Sequence, residues 1–327
     1  MSDATKWPRV AVVGAGAVGG YFGGMLARAG APVVMIGRRT FVEAVKASGL
    51  SLDTVHFRET MHPEVSEELS AVVDADVVLF SVKSTDTAAV SKELSKYLAP
   101  QAIVVSLQNG VNNAEEIYAA SGIQALPAVV YVAAAMPSPG QVKHLGRGDL
   151  VMGPENEKTR SVANLFERAK VQCRISENIQ GELWTKLVWN CALNAVSGLG
   201  KATYGEIIGS EDAKRVVEAV VYEVLAVAKK KEIQPPGLED PKVALAGAFR
   251  IAEQMSGTRS STAQDMARGK KTEIDSLNGY VAKVGAELGV ATPVNLTLYT
   301  LVKLYESSFE KAQGQGELAG GVVDFRR

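Results

Sequence analysis

Apolar positions in the first half of the chain fall in short, nearly unbroken runs, each followed by a stretch with helical spacing. Arg9–Gly14 (RVAVVG) ends in glycine and leads into a small-residue segment that keeps a helical pattern to Ala29. Pro32–Ile36 (PVVMI) repeats the layout with FVEAVKAS behind it, and DVVLFSV, TAAVSKELSKYL and AIVVSL continue it. Runs of β-branched residues without alternation suit strands covered on both faces, so the pattern predicts a mostly parallel sheet with helices between its strands. ALPAVVYVAA, GQVKHLG and DLVMG read as further short strands, with MPSPG as punctuation among them.

After about Ser176 the texture changes. Long helical patterns dominate, broken near QPPGLEDP and MSGTRSS and fading into a polar, Gly-rich tail, AQGQGELAGG. No strand-like run of comparable quality follows. The pattern predicts two domains, an α/β domain over 1–177 and an all-helical domain over 178–327.

Composition narrows the function more by exclusion than by indication. The chain has 327 residues, 46% hydrophobic and 22% charged, as expected of a globular protein. Its formal net charge is -1 and no run of like charges makes a basic arm, which argues against a nucleic-acid partner. The first residues, MSDATKWPRV, lack the basic-then-apolar layout of a secretory signal, and no apolar run is long enough to span a bilayer. Two cysteines, Cys173 and Cys191, make neither a disulfide framework nor a zinc site. The expectation is a cytoplasmic protein with reduced thiols, no metal, no membrane partner and a small-molecule substrate. An apolar helical domain is compatible with a homodimer, although nothing in the sequence demands one.

The turn after the first strand carries the first chemistry. Gly14, Ala15, Gly16, Ala17, Val18 and Gly19 fit G-x-G-x-x-G, and the pattern follows a strand and opens a helix, which is the context it requires. Gly14 permits the tight turn, Gly16 lets a pyrophosphate approach the backbone, and Gly19 allows the helix to lie close on the strand. The helix N-terminus then offers N–H donors to the phosphates. A Rossmann-type dinucleotide-binding domain is the expectation, and a bare structural turn is the alternative. The second strand indicates which dinucleotide. An NAD site places a carboxylate about 20 residues on to hold the ribose 2′-hydroxyl, whereas here Gly37, Arg38 and Arg39 stand at that point. Guanidinium groups there favour a 2′-phosphate, hence NADPH/NADP+, over a solvated basic loop. Lys83 and Asn109 close the next two strand runs, where ligands of open α/β sheets bind, but each reads equally well as an ordinary loop residue.

Reduction of a carbonyl by a nicotinamide requires a proton donor. His56, His62 and His144 have no carboxylate or arginine partner in sequence, and His144 reads as an edge-strand residue. A Tyr-x-x-x-Lys match at Tyr299 and Lys303 lies far downstream in the helical domain and reads as chance. The segment ELWTKLVWNCALNAV remains. Lys186, Asn190 and Asn194 fall within an arc of about 80° on one helix face, among Leu, Val, Trp, Cys and Ala. Two readings stand level: a solvated stripe, or a binding face with a desolvated lysine whose lowered pKa makes it a usable acid. Glu273 offers a similar choice between a carboxylate at the start of the helix IDSLNGYVAKVG and a partner for a substrate hydroxyl.

Taken together, GAGAVGGYFGGMLARAG, IGRR, VKS, QNGV, ELWTKLVWNCALNAVSGL and SSTAQDMARGKKTEIDSLNGYV resemble the ketopantoate reductase family over essentially the whole chain. The resemblance implies a Rossmann domain followed by an all-α domain like the C-terminal one of 6-phosphogluconate dehydrogenase. It also implies NADPH-dependent reduction of 2-dehydropantoate to (R)-pantoate, in pantothenate and coenzyme A biosynthesis. Under it, Lys186 is the proton donor, and Glu273 holds the nascent hydroxyl and touches the cofactor. Asn190, Asn194 and Ser261 bind substrate, Lys83 and Asn109 contact cofactor and substrate, Ala135 lies against the cofactor, and Arg38 takes the 2′-phosphate. Four positions depart from the family pattern: Ala195 for a proline, Tyr204 and Thr258 for asparagines, and Asp86 for a glutamine. Reduction of another, bulkier or aromatic 2-oxo acid is the runner-up, and a non-catalytic NADP(H)-binding protein a more distant one. A 6-phosphogluconate-type dehydrogenase requires an extra basic cluster, which the sequence lacks.

Overall fold

The computed structural model describes residues 6–319, with side chains as far as residue 309. The chain divides into two compact units, the first ending at Leu183 and the second beginning at Trp184.

The first unit contains, in order, β1 (Val10–Val13), α1 (Ala17–Arg28), β2 (Val33–Ile36), α2 (Arg39–Ser48), β3 (Leu50–Asp53), β4 (Arg58–Met61) and β5 (Glu64–Ser66). There follow β6 (Val77–Phe80), α3 (Thr87–Leu94), β7 (Ile103–Ser106), α4 (Asn113–Ser121), β8 (Ala125–Ser138), β9 (Gln141–Met152), α5 (Glu157–Arg168) and β10 (Cys173–Ile175). The ten strands form one sheet in the order β4-β3-β9-β8-β7-β6-β1-β2-β5, with β10 beside β9. Only the β3–β4 and β8–β9 pairings are antiparallel among the described residues, so the expected α/β class with a mostly parallel sheet is what the chain adopts.

The unbroken apolar runs are explained by the two cores. Val10, Val12, Val33, Met35 and Leu79 face one side of the sheet and pack with Phe22, Leu26 and Phe166. Ala11, Val13, Val34, Ile36, Val78 and Phe80 face the other and pack with Leu94 and Ile117. Each residue of β1 is buried whichever way it points, so no polar position is left to mark the two-residue period.

Three local expectations are corrected. GQVKHLG and DLVMG are not separate strands but one, β9, because the intervening Gly146, Arg147 and Gly148 form an irregularity with positive φ rather than a break. His144 is therefore interior to the sheet, 5% exposed, stacked on Tyr21 at 4.5 Å with Nε2 2.6 Å from the Arg147 carbonyl. MPSPG punctuates less than expected, since β8 continues through Ser138. The polar stretch around FRETMHPE holds β4 and β5, which sequence reading passed over; β4 has a single buried residue, Met61, and so shows no hydrophobic period.

The second unit is helical: α6 (Ile179–Gly200, which runs through the boundary), α7 (Tyr204–Ile208), α8 (Glu211–Lys230), α9 (Pro241–Gln254), α10 (Ser261–Ala267), α11 (Asn278–Leu288) and α12 (Pro293–Ala319). Its helix starts follow the local sequence. Ser210, Asp240 and Ser260 accept N–H bonds at the starts of α8, α9 and α10, and Thr203 with Glu206 forms a capping box on α7. The tail expected at AQGQGELAGG is helical as far as it is described, because α12 carries through to Ala319; residues 320–327 lie outside the described residues. No helix among the described residues is long and apolar enough to cross a membrane.

Candidate active site

The glycine turn shows three distinct environments at its three glycines. Gly14 has φ +96, and a Cβ there would stand 2.6 Å from the Val82 nitrogen and 2.7 Å from the Ser81 carbonyl carbon, so β1 and β6 close on each other only because the side chain is absent. A Cβ on Gly19 would collide with the Ser81 hydroxyl and lie 2.5 Å from the Gly14 carbonyl oxygen, the close helix–strand approach expected. On Gly16 a Cβ would meet nothing within 4 Å. The backbone is thus open where a pyrophosphate needs to come near and closed where helix and strands need to pack.

Ser81, not singled out from sequence, ties the turn from beneath: its hydroxyl donates to the Gly14 carbonyl at 2.9 Å. Gly14 and Ala15 N–H both donate to the Ile36 carbonyl at 3.0 Å. The first intrahelical bond of α1 is Gly20 N–H to Gly16 oxygen, 2.7 Å, so the N–H groups of Ala17, Val18 and Gly19 point out of the helix start, which has no side-chain cap.

The remaining residues predicted in this unit follow the sheet order. Asn109 comes after β7, Lys83 after β6, the glycine turn after β1 and Arg38 after β2, on four adjacent parallel strands. Ala135 lies on the next strand, β8, opposite Lys143 of β9. Arg38 is exposed and, among the described residues, makes no ion pair, whereas Arg39 is engaged with Glu43 at 2.7 Å. Of the two guanidiniums, Arg38 is the one available to an incoming phosphate.

A second feature missed by the sequence reading lies under the Lys83 and Asn109 loops. Gln108, 5% exposed, accepts from the Ser106 hydroxyl at 3.1 Å and donates to the Val82 carbonyl at 3.1 Å and Thr87 Oγ1 at 2.7 Å. Asn113 donates to the Asn109 carbonyl at 2.7 Å. The β6 and β7 ends are thereby joined through residues adjacent to both candidate contacts. The local signal is the glutamine of QNG, a polar residue that closes an apolar strand run directly before Asn109.

In the second unit, Lys186 and Asn190 are half-buried on α6, and Asn194 is 4% exposed. Asn194 Oδ1 accepts from the Tyr204 hydroxyl at 3.2 Å, and its carbonyl accepts from Ser260 Oγ at 2.9 Å. Burial pushes the Tyr204 phenol up to about 12, so it remains a neutral donor. Ser260 is the buried cap of α10; the predicted Ser261 is the first helical residue and is exposed. A Cβ on Gly198 would lie 2.7 Å from Met266 Sδ, which explains how α10 approaches the end of α6.

Glu273 does not begin a long helix as expected. It precedes a short 3-10 turn, Ile274–Ser276, and α11 starts only at Asn278, because Leu277 departs from helical geometry with ψ -109. Asn278 donates to the Cys191 carbonyl at 3.1 Å, tying this segment to α6 between Asn190 and Asn194. Two cavities, of about 260 Å³ beside Arg9 and His62 and about 530 Å³ beside Cys173 and Arg174, hold none of the predicted site residues.

A glycine turn feeding an uncapped helix at the carboxyl edge of a parallel sheet defines a dinucleotide-binding protein. Comparison with known families places it further. The ketopantoate reductase PanE/ApbA family matches residues 10–157, and its C-terminal counterpart matches residues 178–306. The chain belongs to this family of nicotinamide-dependent oxidoreductases. It is 34% identical to the 2-dehydropantoate 2-reductase of Pyrobaculum aerophilum, over 90% of this chain and 97% of the relative. The 2-dehydropantoate 2-reductase of Pyrococcus abyssi is 30% identical over 90% of this chain and 97% of its own. Among solved structures, a PanE/ApbA family ketopantoate reductase from Ralstonia eutropha JMP134 is 45% identical with a TM-score of 0.87, covering 92% of this chain and 99% of the other.

Proposed function

We propose that this protein is a cytoplasmic, NADPH-dependent 2-oxo-acid reductase whose substrate is 2-dehydropantoate, reduced to pantoate. The observation that carries the reading is the stripe Lys186, Asn190 and Asn194 on a helix whose other residues include the fully buried Trp184, Leu187, Val188 and Cys191. The cofactor fits the residues present: Gly16 leaves room for the pyrophosphate, the N–H groups of Ala17–Gly19 face it, and Arg38 is unpaired for a 2′-phosphate. When bound, the reduced nicotinamide supplies a hydride to the C2 carbonyl carbon. Lys186 donates a proton to the carbonyl oxygen and is reprotonated from solvent, which balances the reduction of ketone to alcohol. Glu273 accepts a hydrogen bond from the new hydroxyl. Asn190, Asn194, Asn109 and Ser261 hold the polar groups of the acid, and Lys83, Ala135 and the glycine turn hold the cofactor.

A second reading, a bulkier or aromatic 2-oxo acid, is favoured by one observation. Tyr204 puts a buried ring where the family pattern has an amide, and spends its hydroxyl on Asn194. NADPH oxidation against a panel of 2-oxo acids separates the two. Lys186→Ala is expected to lower kcat by about 10²–10⁴, and Arg38→Ala to weaken NADPH far more than NADH. Undiminished turnover in Lys186→Ala refutes the proton-donor role.

A further inference from the structure

The Tyr299 and Lys303 pair, which the sequence presented as a chance match, is engaged in the structure. Both side chains reach back to Asp275: the Tyr299 hydroxyl donates to Oδ1 at 3.0 Å and the Lys303 ammonium to Oδ2 at 2.9 Å. Lys303 also pairs with Glu306 Oε2 at 3.2 Å. The other oxygen of Glu306 accepts twice from Thr272, from the N–H and from the hydroxyl, both at 2.7 Å. The Thr272 hydroxyl in turn accepts from Ile274 N–H at 3.2 Å, and the Glu273 carbonyl accepts from Ser276 N–H at 3.0 Å. Residues on both sides of Glu273 are therefore fastened to one face of α12, and its own backbone is fastened to the turn that follows.

We propose that Tyr299, Lys303 and Glu306 form a clamp that positions Glu273 for its part in the reaction; the inference rests on the role assigned to Glu273 above. The two halves of the clamp differ in strength. The Glu306 side chain is 6% exposed, so its bonds to Thr272 are charge-assisted and shielded from solvent. Asp275 and Lys303 are 44% and 39% exposed, and their pair is screened. Lys303 links the halves. Burial alone would lower its pKa, but hydrogen bonding and the charges of Asp275 and Glu306 raise it above the ordinary lysine value, so it stays an ammonium. The ring of Tyr299 is seated against Gly279, where a Cβ would stand 2.7 Å from it, fixing the distance between α12 and the start of α11. A side chain displaced by an ångström from its reacting partner loses much of its effect, which is how groups with no substrate contact control rate.

The test is a double-mutant cycle on steady-state reduction of the best 2-oxo acid. Lys303→Met and Tyr299→Phe, both at partly exposed positions, should each lower kcat by about ten- to a hundredfold. The same changes in a Glu273→Ala background should cost less than about twofold more, because the group they position is gone. Glu306→Gln keeps an acceptor for Thr272 and should retain more activity than Glu306→Leu; if the leucine variant does not fold, the other two substitutions carry the test. Losses that multiply with that of Glu273→Ala overturn the clamp alone and leave Glu273 its role. Wild-type kcat in Glu273→Ala overturns that role and the clamp with it.

Discussion

Alanine at each of the three motif glycines separates folding from cofactor binding. At Gly16 the backbone is extended, φ -84 and ψ -159, and an added Cβ meets nothing within 4 Å. The folded chain then gains no strain, and the loss of unfolded-state freedom stabilises it by about 0.4–1 kcal/mol. The methyl instead occupies space where the pyrophosphate must approach. At Gly14, φ +96 costs a side chain about 1–2 kcal/mol by itself, before the contacts of 2.6 and 2.7 Å with the β6 end are counted. Gly19→Ala meets the backbone of the same turn at 2.5 Å. The assay is thermal unfolding with and without NADPH. At a hundred times Kd, the ligand stabilises the wild type by about 2.7 kcal/mol. A hundredfold weaker Gly16→Ala retains about 0.4 kcal/mol at the same concentration. The expected pattern is an unharmed but ligand-insensitive Gly16→Ala, and destabilised Gly14→Ala and Gly19→Ala. A Gly16→Ala protein that melts well below wild type, or keeps its full NADPH shift, refutes the assignment of Gly16 to the pyrophosphate.

Two further outcomes follow from buried groups. Gln108→Leu removes three hydrogen bonds and strands the partners of a buried amide, a cost of about 2–4 kcal/mol; it should also weaken NADPH binding, and a variant with wild-type affinity would exclude a link between the two loops. Burial raises both thiols, Cys173 to about 12 and Cys191 further, so at pH 8 each is almost wholly protonated and unreactive. Ellman's reagent should label the native protein slowly and both cysteines on unfolding in guanidinium, whereas rapid labelling of the native state contradicts the raised thiol pKa of the half-buried Cys173 or the burial of Cys191.

Much of the fold was legible because the strands that matter are buried on both faces. β1, β2, β6 and β7 announce themselves as apolar runs, and the glycine turn and Arg38 are attached to them in sequence. The α6 stripe was visible for a similar reason, since one helix carries Lys186, Asn190 and Asn194 at a fixed period. What escaped depends on partners distant in the chain. Thr272 meets Glu306 across 34 residues and Ser260 meets Asn194 across 66, and no local pattern reports either. β4 escaped for the opposite reason: an exposed strand with one inward residue has no period to read. The break at Leu277, which removes Glu273 from the helix start, is a matter of backbone angle on which a leucine side chain is silent.

The interior position of β1, between β2 and β6, bears on how the chain is made. Its outer edge is taken early by β2, at Val33, but its other edge waits for β6, where Val10 meets Val77, 67 residues later (77 − 10). At ribosomal rates this is a delay of roughly 3–13 s, during which an apolar strand with an unpaired edge is held open. The hazard falls on the strand that carries the glycine turn. A chain slowed in that interval, by rare codons or by cold, is therefore expected to be lost to aggregation through β1, and prompt synthesis through Phe80 becomes part of what secures the cofactor cradle.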